Sequence, residues 1–128
     1  MHTYLLCLGS NASGPCFLKK AETLLAPLGT RWEWGDIITS PAEGGGKGIY
    51  YNRIARLQSH LTPDALREML KQAECDLGST PADRSRGIVC IDIDILKQNG
   101  EVLRPDDWTK DYVRRALAAF RKATGQHA

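Results

Sequence analysis

Long apolar runs are missing from this chain of 128 residues. The N-terminal apolar stretch ends at Gly9 after only a few residues, so neither a membrane-spanning helix nor a signal-peptide core is expected. An excess of charge of one sign is missing too. Lys and Arg number 17 against 15 Asp and Glu, a formal net charge of +2, which gives no electrostatic case for a nucleic-acid or membrane partner. Any anion this chain holds must be met by local groups. The four cysteines, Cys7, Cys16, Cys75 and Cys90, show no C-x-x-C spacing, which argues against a zinc site or a disulfide framework. They read as small thiols in a reducing, cytoplasmic setting. Repeats are absent, and the low-complexity content is limited to Gly44-Gly45-Gly46. The length fits one domain over 1–128, long enough to bury a core without metal or disulfide, and a monomer is expected.

The pattern along the chain predicts alternating element types. Thr3 to Leu8 reads as a buried strand running into the Gly9-Ser10-Asn11 turn. After Pro15, the residues Phe17, Leu18, Ala21, Leu24, Leu25 and Leu28 recur at helical spacing, with Pro27 distorting the last turn and Gly29 as a stop. Arg31 to Thr39 predicts a strand with a slip near Gly35, closed by Ser40-Pro41. The loop from Ala42 to Gly48 is either a mobile lid or a plain hairpin connection, and Tyr50 to Ser59 is the returning strand. Thr62 as N-cap, Pro63 in the first turn, the stripe Leu66, Met69, Leu70, Ala73, Leu77, and Gly78 at the end define a second helix. A polar loop spans Ser79 to Gly87, a strand Ile88 to about Leu96, a turn Asn99-Gly100, and a last helix Asp106 to about Thr124.

Within the fourth strand, Cys90-Ile91-Asp92-Ile93-Asp94-Ile95 alternates strictly. Three isoleucines then face a core and two carboxylates share the other face. Carboxylates two apart on a strand sit roughly 6.6 Å apart along the chain, a separation at which both can serve a pair of divalent cations. Paired oxygen donors suit a hard ion such as Mg²⁺; an exposed, solvated sheet face is the alternative account. The order β-α-β-β-α-β followed by a helix matches the ferredoxin-like, split βαβ arrangement of the α+β class. One antiparallel sheet would carry both main helices on one face and an extra C-terminal helix, with the other face left for function.

Together these pieces resemble 6-hydroxymethyl-7,8-dihydropterin pyrophosphokinase. The resemblance rests on Tyr4-Leu5-Leu6-Cys7-Leu8-Gly9-Ser10-Asn11, Ser40-Pro41, Tyr50-Tyr51-Asn52, the helix from Leu61-Thr62-Pro63 through Glu74 to Gly78, and Ile91-Asp92-Ile93-Asp94-Ile95. It implies a Mg²⁺-dependent transfer of pyrophosphate from ATP to a pterin hydroxymethyl in folate biosynthesis. Asp92 and Asp94 would hold two Mg²⁺ ions. Asn52 would read the pterin edge with its amide, Tyr50 would cover one ring face, and Tyr112, or Trp108 behind it, the other, beside Ser40 and Pro41. Glu74, Lys71 and Lys110 would lie on the nucleotide side.

Where the family carries arginines after the second helix and before the Asp strand, this chain has Ser79, Pro81 and Val89. Arg84 and Arg86 are the candidates to supply guanidinium groups from shifted positions, binding nucleotide and acting in the chemistry. After the dyad, Arg104 and Lys110 stand roughly where the family's basic residues are expected. An active, divergent pyrophosphokinase and a non-catalytic pterin- or nucleotide-binding paralogue are the two readings. A palm-like nucleic-acid enzyme is disfavoured, because the first strand contains no carboxylate.

Overall fold

A computed structural model describes residues 1–41 and 48–125. The predicted lid, except Gly48, lies outside the described residues. The strands are β1 (His2–Ser10), β2 (Arg31–Trp34), β3 (Ile38–Pro41), β4 (Ile49–Ser59), β5 (Asp92–Gln98) and β6 (Glu101–Val102). The α-helices are α1 (Cys16–Leu25), α2 (Pro63–Asp76), α3 (Pro81–Ser85), α4 (Pro105–Trp108) and α5 (Asp111–Thr124). A 3₁₀ turn over Ala26–Leu28 carries Pro27 at the end of α1. All six strands form one antiparallel sheet in the order β2-β4-β1-β5-β6, with β3 also pairing β4. The chain is therefore α+β with the expected ferredoxin-like core.

One face of the sheet is closed by α1 and α2. Tyr4, Leu6 and Leu8 of β1, Ala55 and Leu57 of β4, and Ile91, Ile93 and Ile95 meet Leu18, Ala21, Leu25, Leu66, Leu70 and Ala73 in one buried cluster. Each strand contributes alternate residues, as a period of two requires. The predicted caps of α2 are observed: Thr62 Oγ1 accepts the Ala65 N–H at 3.3 Å, Pro63 opens the helix, and Gly78 follows it at positive φ.

The opposite face is not left wholly open, which corrects the sequence expectation. Val113, Ala116, Leu117 and Phe120 of α5 pack on Leu5, Cys7, Ile54 and Leu96 there. A register shift between Leu5 and Leu6 against β5 accompanies this, with Ile95 joining the cluster under α1 and α2 and Leu96 the cluster under α5. The long strand predicted over Arg31 to Thr39 divides at Gly35. The Gly35 N–H bonds the Ile54 carbonyl at 2.8 Å, and a Cβ there would stand 2.9 Å from Phe120 Cα, so the close seat of α5 demands glycine. Arg53 fixes the same bend: its Nε and Nη2 both donate to the Gly35 carbonyl, Nη1 pairs with Glu22, and the guanidinium lies 4.8 Å from the Trp34 ring centre.

Three further boundaries differ. The strand predicted from Ile88, observed as β5, starts at Asp92; the polar loop contains the single-turn α3; and the last helix is broken at Thr109-Lys110 into α4 and α5. The breaks shape the site, because Arg84 of α3 and Arg104, just before α4, come within 4 Å of Asp92 and Asp94.

Candidate active site

Antiparallel register assembles the site. On the α5 side of the sheet, Gly9 of β1 stands between its register partners Asn52 of β4 and Asp92 of β5, while Cys7 stands between Ile54 and Asp94. Neighbouring strands are roughly 4.8 Å apart, so Asn52 and Asp92 are separated by about 10 Å of sheet with only a glycine between them. A Cβ at position 9 would stand 3.0 Å from Asn52 Oδ1. The missing side chain keeps the floor low.

Around this floor lies a cleft of about 290 Å³, lined by Ser40, Pro41, Tyr50 and Asn52 on one side and by Asp92, Asp94, Arg104, Asp107, Lys110 and Tyr112 on the other. Five predicted pterin-side residues, Ser40, Pro41, Tyr50, Asn52 and Tyr112, thus share one cleft with the carboxylate dyad and Lys110. Asn52 is buried, and its Nδ2 donates to Ser40 Oγ at 2.7 Å, which fixes the plane of the amide. Tyr112 lines the cleft and Trp108 does not. Trp108 instead packs with the α5 cluster, its ring 5.0 Å from Lys97 Nζ and 5.6 Å from the Arg114 guanidinium.

Asp94 is the strained member of the dyad. Burial, the charge of Asp92 and a hydrogen bond with that residue push its carboxyl up to about 7, against the opposing pull of Arg104. Burial, reinforced by the facing carboxylates, holds the Cys7 thiol well above its ordinary range. Cys7 is therefore an inert floor group. Two close carboxylates that resist joint ionisation form a donor set that a divalent cation would relieve. Among the described residues no group of three or more His, Cys, Asp or Glu side chains gathers as a metal cage. A cation on the dyad would complete its shell from water or from oxygens of a bound anion.

One arginine approaches each carboxylate. Arg84 Nη2 is 3.8 Å from Asp92 Oδ1, and Arg104 Nη1 is 3.2 Å from Asp94 Oδ1. The same Nη2 lies within hydrogen-bonding distance of Glu74 Oε1 at 3.3 Å, Ser79 Oγ at 3.3 Å and the Ile91 carbonyl at 3.1 Å, and Arg84 is not part of the cleft lining. Arg86 does not join the cleft; it pairs with Asp83 at 2.6 Å. Glu74 and Lys71 are likewise outside the lining. Glu74 is buried beneath the outer edge of β5, where its Oε2 accepts the Ile93 N–H at 2.8 Å and its Oε1 lies 3.6 Å from Lys71 Nζ. Because β6 pairs only with Lys97 and Gln98, that N–H has no strand partner, and the helix carboxylate satisfies it. Asn11 locks the segment after α3 to β1, its Oδ1 accepting the Val89 N–H at 2.7 Å and its Nδ2 donating to the Gly87 carbonyl at 2.6 Å.

Cys7 and Asp107 line the cleft without having been expected there. Asp107 accepts from Arg104 Nε and lies 2.9 Å from Lys110 Nζ, and these contacts hold its carboxyl below the ordinary range. Its sequence signal was slight: Arg104, Asp107 and Lys110 recur every three residues about Pro105.

Folic acid synthesis protein FOL1 of Dictyostelium discoideum is 33% identical over 88 residues, 62% of this chain and 13% of that protein. The chain thus spans about an eighth of that relative. Among solved structures, the C-terminal domain of the MgtC protein from Mycobacterium tuberculosis overlaps 74% of this chain and 87% of its own at 12% identity, with a TM-score of 0.41, too low to carry an argument. The family model for 7,8-dihydro-6-hydroxymethylpterin-pyrophosphokinase matches residues 5–122, from β1 through nearly all of α5, and by that match the chain belongs to the pyrophosphokinase family.

Proposed function

We propose that this chain transfers a pyrophosphoryl group from ATP to the hydroxyl of 6-hydroxymethyl-7,8-dihydropterin, with Mg²⁺ held by Asp92 and Asp94. The observation that carries the reading is the row Asn52, Gly9, Asp92 across three adjacent strands. It sets a fixed amide and a carboxylate pair at opposite ends of one cleft, the layout needed to hold a flat heterocycle against an anionic donor. Asn52 supplies an acceptor and donors for a ring edge bearing a carbonyl and an amino group. Tyr50 and Tyr112 offer faces for stacking on the ring. Ser40 keeps the amide in plane, and Gly9 leaves room for the ring.

The substrate oxygen attacks the β-phosphorus, the bond from that phosphorus to the α,β-bridging oxygen breaks, and AMP leaves with that oxygen. Mg²⁺ held by Asp92 and Asp94, proposed as two ions, would supply charge neutralisation at the transferred group and the leaving oxygen. Arg104 and Lys110 stand on the wall beside the dyad, and Arg84 at its edge, to meet phosphate oxygens. A carboxylate of the dyad is the candidate acceptor for the proton of the attacking hydroxyl.

A second reading, a pterin- or nucleotide-binding relative without turnover, is favoured by one observation: Arg86 pairs outside the cleft, and Arg84 is partly committed to Glu74. Incubation with Mg²⁺, ATP and the hydroxymethyl pterin separates the two. Equal amounts of AMP and pterin diphosphate are expected; binding of pterin without pterin-dependent AMP would establish the second reading instead.

A further inference from the structure

Resting on the pyrophosphokinase reading, we infer that Asp107 is a positioning residue that holds Arg104 and Lys110 together as a two-cation arm for the donor's polyphosphate. The geometry behind this is one carboxylate divided between two cations. Oδ2 of Asp107 takes the Arg104 Nε, and Oδ1 takes Lys110 Nζ at 2.9 Å. Pro105 opens the single-turn α4 between them, so the i, i+3 spacing on either side of Asp107 places all three side chains on one side of the turn. Arg104 bonded through Nε keeps its amino groups pointing onward, and Nη1 reaches Asp94 Oδ1 at 3.2 Å. All three residues line the cleft, and Lys110 lies 6.0 Å from the Tyr112 ring centre, linking the arm to the aromatic wall.

Charge makes the placement informative. Asp92, Asp94 and Asp107 put three carboxyl groups beside the two cations Arg104 and Lys110 in one lining. A third carboxylate there works against an anionic substrate if its charge alone is counted. Its benefit lies in orientation: a fork fixed at Nε loses less freedom when its remaining donors take up an anion. The two accounts predict opposite signs. Removing the charge while keeping the shape, Asp107→Asn, should tighten polyphosphate binding if net charge governs, and weaken it if orientation governs.

The test is calorimetric titration of the full chain with Mg²⁺ and inorganic tripolyphosphate, which avoids dependence on turnover. Asp107→Asn is expected to weaken binding about tenfold, the scale of one charge-assisted hydrogen bond. In an Arg104→Gln background the same substitution should have less than half that effect, because its action runs through the arginine. In turnover, the KM for ATP should rise while the KM for pterin stays level, a split that loosening of the fold would not produce. Binding by the wild type with equal or tighter binding by Asp107→Asn overturns the inference alone. An undiminished effect in the Arg104→Gln background overturns it also. Absence of saturable tripolyphosphate binding by the wild type overturns both the inference and the reading on which it rests.

Discussion

The two sides of β5 are one residue apart in sequence and opposite in kind. Ile91, Ile93 and Ile95 lie almost wholly buried against α1 and α2, while Asp92 and Asp94 face a cleft with a partner cation at each end. Stability is concentrated on the first side and electrostatic strain on the second. The isoleucines gain from removal from water, roughly 25 cal/mol for each Å² of apolar surface. Asp94 gains nothing from burial, and its charge raises the cost of the folded state unless a cation offsets it. The strand is thus held in place by one face so that the other can stay unfavourable. Glu74 completes the hold from the edge, through the N–H of Ile93 between the two carboxylates.

Substitutions on the two faces should therefore separate activity from stability. The largest effect is expected from Asp92→Ala or Asp94→Ala: pterin-dependent AMP formation should fall about a thousandfold, the scale of removing a preorganised electrostatic contact in phosphoryl transfer, with no loss of melting temperature. Turnover within threefold of wild type would remove the metal-holding role from that residue. Next is Ile93→Ala, which should cost about 3 kcal/mol of stability, a transfer loss plus a cavity. Denaturant unfolding measures it. A cost below about 1 kcal/mol would show that the helix-facing side is not where the strand is held.

Legibility in the sequence divides along the same line. Alternation over Cys90 to Ile95 and the Thr62-Pro63 cap are local signals, and the structure carries both. Thr80-Pro81 with Asp83 is a comparable cap signal, Thr80 Oγ1 accepting the Asp83 N–H at 3.1 Å, and it marks α3 inside what reads as a plain polar loop. By contrast, Glu74 looks like an exposed helix carboxylate; its burial depends on β6 being too short to pair with Ile93, a tertiary circumstance. Arg84 and Arg86 are equivalent by sequence, yet the short turn of α3 sends one toward Asp92 and the other to Asp83. Tyr112 and Trp108 are likewise equivalent as helix aromatics, until the break at Thr109-Lys110 divides α4 from α5.

Between the two extremes stands Gly9, on the polar side of β1. Gly9→Ala places a methyl group about where Asn52 Oδ1 now approaches, 3.0 Å from the new carbon. The amide must then give way against its bond to Ser40. The expected result is a KM for pterin raised about tenfold, the scale of a displaced buried hydrogen bond, with the KM for ATP within twofold. Equal increases in both would mean that Gly9 governs the whole cleft rather than its pterin end.

The smallest effect follows from the strain on Asp94. Its carboxyl is pushed up to about 7 in the folded chain by burial and by Asp92, against about 3.9 when unfolded. The folded state therefore binds more protons between those values, and stability falls as pH rises through that window. Below pH 4 the group is protonated in both states and the penalty vanishes; above about 7 the penalty is fully present. Asp94→Asn removes the titration and should melt a few degrees higher than wild type at pH 7.5 without metal, by an amount that shrinks at pH 5. Addition of Mg²⁺ should raise the wild type and leave the variant unchanged, because only the charged dyad gains a ligand. A melting difference that is constant with pH would mean that Asp94 ionises freely, and the contrast between the two faces of β5 would then be one of exposure and not of strain.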